Sequence, residues 1–105
     1  MRLRKDNIMD EEVELIAKVS DALAHPVRIN LFRYIMQENR AFKSVCTGDL
    51  VTEFGYAQAT ISQHMKKLVE SGLVEVKKQE KFSYYYANLG MLSMYLNATK
   101  KFSVK

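Results

Sequence analysis

The chain has 105 residues, 48% of them apolar and 27% charged, with a formal net charge of +4. That is one domain's length with an ordinary globular balance, which excludes a chain disordered throughout. One cysteine and two histidines exclude an internal disulfide framework and the usual four-ligand structural zinc site.

The charge is unevenly placed. Residues 1–50 carry eight Lys/Arg and eight Asp/Glu; residues 51–105 carry eight Lys and four Glu, and no arginine follows Arg40. A balanced front and a basic back predict that the second half meets a polyanion, with plain solubility as the bland alternative. The opening Met1–Asp6 is charged and no apolar run follows, which argues against a secretory signal. The longest uncharged stretch, Phe82–Thr99, holds hydroxyls, amides and tyrosines. It reads as interior and interface rather than a bilayer span, which wants about 20 predominantly apolar residues. The expected compartment is the cytoplasm, with no membrane partner.

The first helical pattern runs over about 10–24. Asp10 is the expected N-cap, and Glu11 and Glu12 suit the positive end of the helix dipole. Pro26 opens a second helix, where its missing N–H has no partner to lose, and His25 reads as a helix-entry residue. Val27, Ile29, Leu31, Phe32, Ile35 and Met36 put apolar groups almost all round this helix, which marks it as central. Residues 39–48 read as irregular. Gly48-Asp49 opens a short helix through Phe54, Gly55-Tyr56 turns, and a further helix spans about 57–71 with Ile61, Met65 and Leu68 as its inward stripe. Gly72 suits a left-handed helix end. Leu73–Lys78 and Phe82–Ala87 then read as two strands. Their connection lacks the Gly or Asn of tight turns, so a longer, mobile loop is expected. Asn88 caps a last helix, 89–100.

Two short helices joined by a Gly-containing turn and followed by a hairpin make a winged helix-turn-helix, whose second helix enters the major groove. Opposite the inward stripe lie Gln58, Thr60, Ser62, Gln63, Lys66 and Lys67, and Ala59 and His64 complete the set expected beside DNA. Gln matches adenine, hydroxyls serve either edge, and Ala59 can meet a thymine methyl. Residues 55–69 contain no acidic side chain, unlike the mixed charge of a merely solvated face. Lys66 and Lys67, with Lys77, Lys78 and Lys81 of the wing, are the expected phosphate contacts. The fold class expected is therefore mainly α with a small β-hairpin: a single domain, 1–105, of about five helices and a two-stranded wing.

The run from Asp21 to Ile29, DALAHPVRI, resembles the "ALADPTRLRIL" opening of the ArsR/SmtB-type transcriptional regulators. Residues 57–68, AQATISQHMKKL, resemble their "SQSTVSRHLKxL" recognition helix. Ser71-Gly72-Leu73-Val74 with Tyr84-Tyr85 is similar to their "AGLVxxRREGRWVYY" wing. Together these motifs span about residues 15–90, in the family's order and spacing. The resemblance implies a DNA-binding repressor with the helix-turn-helix at about 48–71 and the wing at about 73–87. It also implies a homodimer paired through the helices at about 10–24 and 89–100, with Val13, Ile16, Met91, Leu92, Tyr95 and Leu96 at the interface. Two recognition helices would then face a pseudo-palindromic operator about one DNA turn apart.

Many members hold a soft metal or metalloid through "CVCDL"; the matching residues are Cys46-Thr47-Gly48-Asp49-Leu50. Soft ions need two or more thiolates, and the second has become Gly48. The Asp, His and Glu ligands that other members place on the last helix are missing from Leu89–Lys100. No metal and no cofactor is expected. Cys46, near a helix start, is a candidate redox or alkylation switch, against an inert half-buried thiol. No catalytic constellation is present, so an enzyme is not expected. The rival from another class is a winged-helix protein-interaction module that no longer binds DNA. Which effector, if any, relieves binding is unknown from sequence.

Overall fold

The computed structural model describes residues 8–103, so the charged opening Met1–Asp6 lies outside it. In chain order the described residues form α1 (Asp10–Ala22), α2 (Pro26–Arg40), β1 (Val45–Cys46), α3 (Thr47–Phe54), α4 (Gln58–Glu70), β2 (Val74–Gln79), β3 (Phe82–Ala87) and α5 (Leu89–Lys100). The architecture is a mainly α winged helix-turn-helix.

α2 lies at the centre. Its Leu31, Phe32 and Ile35 are buried against Leu50 of α3 and the stripe Ile61, Met65 and Leu68 of α4. Val45, Leu73, Val74 and Tyr85 close the core from the sheet side. Each large apolar side chain removed from water here contributes about 1.5–3 kcal/mol. That stripe gives α4 one seat in the fold and turns its opposite face to solvent. Gly55 ends α3 at φ 75°, a left-handed conformation in which its N–H reaches the Val51 carbonyl at 2.9 Å. The three residues 55–57 then suffice to start α4.

Several expectations are corrected. The N-cap of α1 is Met9 rather than Asp10; its N–H donates to the Glu12 carboxylate at 3.0 Å. α1 stops at Ala22, short of residue 24, because His25 precedes a proline and is extended (φ −138°, ψ 126°). The wing turn is not a long loop: the register pairs Gln79 with Phe82, leaving Glu80 and Lys81 as a two-residue connection. Glu80 takes φ 56° there, and the six register pairs of the hairpin hold it in that conformation despite its side chain. Finally, the sheet has three strands, not two. β1 pairs antiparallel with β3, Val45 opposite Tyr85 and Cys46 opposite Tyr84, giving the order β1-β3-β2.

α1 and α5 lean on each other. The Ser20 and Tyr95 hydroxyls are 2.8 Å apart, and Lys101 Nζ donates to Glu12 Oε1 at 2.8 Å. Asn88 caps α5 by accepting the Met91 N–H at 3.0 Å. Among the described residues no helix is long and apolar enough to cross a membrane.

Candidate nucleic-acid interface

α4 exposes Gln58, Ala59, Thr60, Ser62, Gln63, Lys66 and Lys67. Its N-cap, Ala57, offers no side-chain cap, and no acidic residue occupies its first turn. The first backbone N–H groups therefore face outward without a side-chain acceptor, as an anion-binding helix start requires. α3 differs. Cys46 is its N-cap: the sulfur accepts the Asp49 N–H, and the Asp49 carboxylate accepts the Cys46 N–H at 3.0 Å. The reciprocal cap closes that helix start.

An open cleft runs between the start of α3, α4 and the wing. It is lined by Thr47, Gly48, Gln58, Ser62, Lys81, Phe82, Ser83 and Tyr85. Thr47 Oγ1 and the Tyr85 hydroxyl lie 3.0 Å apart in it. Three residues expected from sequence, Gln58, Ser62 and Lys81, are thus brought together. Sequence reasoning missed Thr47, Ser83 and Tyr85. Their meeting depends on β1 pairing with β3 across some forty residues, for which the chain carries no local signal.

The wing lysines are divided. Adjacent strand residues point to opposite faces. Lys78 pairs with Ser83 and shares the cleft side with Tyr85, whereas Lys77 pairs with Tyr84 on the other side, its Nζ 5.5 Å from the centre of the Tyr86 ring. On α4, Lys66 is exposed, while Lys67 Nζ lies 3.5 Å from the Asp21 carboxylate, both groups of that pair being exposed. An exposed pair of this kind contributes little and yields readily to another anion.

His64 is the member of the α4 set that the structure turns elsewhere. Its ring is half-buried against His25, with centroids 4.8 Å apart and planes tilted by 54°, and its Nδ1 is 3.3 Å from Arg28 Nη1. Burial lowers its pKa from the ordinary histidine value, and His25 and Arg28 add to the effect. Helical spacing shows why. His64 lies three residues after Ile61 and four before Leu68, and so at the edge of the inward stripe, against His25 and Arg28 of the α1–α2 corner.

The residues do not fit a metal of the kind the resemblance brings to mind. The Cys46 sulfur is engaged as a helix cap, and Gly48 stands where a second thiolate is needed. Among the described residues no group of three or more His, Cys, Asp and Glu side chains is placed to hold an ion.

Of the interface set on α1 and α5, Met91, Leu92 and Tyr95 pack in part against the core. Val13 and Leu96 stay about half exposed, as do Met9, Leu89 and Met94. Met9, Val13 and Ile16 recur at helical spacing on one side of α1, and Leu89, Leu92 and Leu96 on one side of α5.

Comparison with known proteins agrees with this geometry. The sequence model of bacterial regulatory proteins of the arsR family matches residues 25–76, from the N-cap of α2 into β2. The chain is 28% identical over 90 residues to the biofilm growth-associated repressor of Xylella fastidiosa, covering 86% of this chain and 75% of that protein. In structure it is similar to an ArsR-like transcriptional regulator from Rhodococcus sp. RHA1 (TM-score 0.73, 20% identity, 85% of this chain and 79% of that one). It is likewise similar to NolR from Sinorhizobium fredii (TM-score 0.67, 24% identity, 96% and 94%). With the helix-turn-helix, the wing and the matched motifs falling on the same residues, the chain belongs to the arsR family of bacterial regulatory proteins.

Proposed function

We propose that the protein is a sequence-specific DNA-binding repressor acting as a homodimer on a pseudo-palindromic operator in the cytoplasm. One observation carries the reading. The outward face of α4 presents amides, hydroxyls and lysines, with uncapped backbone N–H groups at its start, on a helix seated by Ile61, Met65 and Leu68. Gln58, Thr60, Ser62 and Gln63 read base edges, and Ala59 contacts a thymine methyl. Lys66, Lys78 and Lys81 hold phosphates, joined by Lys67 once a phosphate displaces Asp21; Lys77 is a weaker contact from the far side of the wing. Lysines act here as point charges, so specificity rests on the amides and hydroxyls and on DNA shape.

The half-exposed strips on α1 and α5 support the dimer, since a second copy laid across a two-fold axis covers them. The name of the Xylella relative, a repressor, supports the sign of regulation.

The test selects duplexes from a random library and compares affinity for the selected and random DNA as salt is varied. About four phosphate contacts per subunit give a slope of log K against log salt near −7 for a dimer, with selected DNA bound at least about a thousandfold more tightly. Affinity indifferent to ionic strength, or no selection at all, overturns the proposal and favours the protein-interaction module.

A further inference from the structure

Beside the exposed Lys67–Asp21 pair and the His25–His64 contact, one arginine ties the corner where α1 ends and α2 begins to the recognition helix. Arg28 Nε donates to the Ala22 carbonyl at 2.7 Å and Nη2 to the Asp21 carbonyl at 3.2 Å. The guanidinium thereby serves the last carbonyls of α1, where a cation is favoured. Its remaining arm, Nη1, reaches His64 Nδ1 on α4 at 3.3 Å. Arginine only donates, so this contact is a hydrogen bond only while Nδ1 is unprotonated. His25, whose ring lies tilted against that of His64, accepts the Val27 N–H through Nδ1 at 3.2 Å and so caps α2.

We propose that Arg28, acting through His64, is a positioning residue for the recognition helix, and that protonating His64 unlatches α4 from the α1–α2 corner and weakens operator binding. A proton on His64 Nδ1 sets donor against donor and cation against cation. The groups facing His64 are His25 and Arg28 from α2. The Asp21 carboxylate of α1, whose backbone carbonyl Arg28 also holds, is paired with Lys67 of α4. His64 loses its proton more readily in the latched state than when free, as its burial requires. The latch is therefore fully made above the ordinary histidine pKa and is lost as pH falls through the lowered value.

The chain has two histidines, both in this cluster, and no other side chain of ordinary pKa titrates between pH 5 and 8. The inference rests on the DNA-binding reading, and its test separates the two. Affinity for a duplex selected at pH 7.5, and for a random duplex, is measured from pH 7.5 to 5.5. The latch predicts a three- to tenfold loss on the selected duplex, about one hydrogen bond's worth, with no loss on the random one. His64→Asn, whose Oδ1 accepts but does not protonate, flattens the profile. Arg28→Met weakens selected binding at pH 7.5 by a similar factor and flattens it too. Affinity that rises on acidification, as for a histidine touching phosphate, overturns the latch while leaving DNA binding intact. The free protein gives a second readout. Hydrogen-exchange protection of the α4 amides falls on acidification in the wild type and not in His64→Asn; equal protection in both sinks the latch whatever the DNA result.

Discussion

Cys46 shows how a residue's neighbours can give it a structural part to play. In sequence it stands where a metal-binding thiol is found in resembling proteins. In the structure its sulfur completes a reciprocal cap with Asp49. Serine caps at least as well as cysteine, so Cys46→Ser keeps the stability of the wild type in urea, whereas Cys46→Ala loses about 0.5–2 kcal/mol. Equal destabilisation of both variants would mean that the thiol packs rather than caps. Phe42 is a second case. It is 98% exposed and sits at φ 62°, a conformation that costs a side chain about 1–2 kcal/mol. Phe42→Gly is expected to raise stability by about 0.5–1 kcal/mol, and a drop would mean that the ring has a partner. Glu12 makes a pH-dependent contribution in the acid range. The hydrogen bond from Lys101, followed by that from the Met9 N–H, lowers its pKa from the usual carboxylate value. A lowered carboxylate stabilises the fold above its ordinary pKa and loses that contribution as pH falls through the folded value. The melting temperatures of wild type and Glu12→Gln therefore differ at neutral pH and converge in acid.

At the scale of elements, α2, α3, α4 and α5 are legible in the sequence because their signals are local: an apolar stripe of helical period, Pro26 at a start, Gly55 and Gly72 at turns. β1 is not. Two residues show no period, and Val45 and Cys46 become a strand only because Tyr85 and Tyr84 lie alongside. The wing turn misleads for a related reason: six register pairs impose it on Glu80, overriding the residue's own preference. The element that carries function gives paired predictions. Gln63→Ala costs about 1–3 kcal/mol on a selected duplex and little on random DNA. Lys78→Ala, on the cleft side of the wing, weakens both alike and reduces the salt slope by about one unit for each phosphate it no longer neutralises, whereas Lys77→Ala, on the opposite side, changes it less. Identical behaviour of Gln63→Ala on the two duplexes would remove the base-reading role.

For the whole molecule the open question is the second copy. Leu96 is half exposed on the side of α5 that also carries Leu89, so a charge there is harmless to a lone subunit and damaging across a two-fold axis. Leu96→Glu is expected to raise the dimer dissociation constant at least tenfold, about 1.4 kcal/mol, in sedimentation equilibrium. Subunit melting at low protein concentration should be unchanged. Undisturbed association would place the dimer interface elsewhere.

Residue order alone carries the succession of helices, the winged hairpin and the polar, acid-free face of α4, because amphipathic period, turn residues and charge are properties of neighbours along the chain. Long-range packing sets which of Lys77 and Lys78 shares the cleft side, brings Thr47 and Tyr85 together beside α4, and turns His64 inward to Arg28. Each of these depends on strand register or on the rotation of a helix in its seat. Both are fixed by the packing of residues far apart in the chain, where a step of one position reverses the face that a side chain shows.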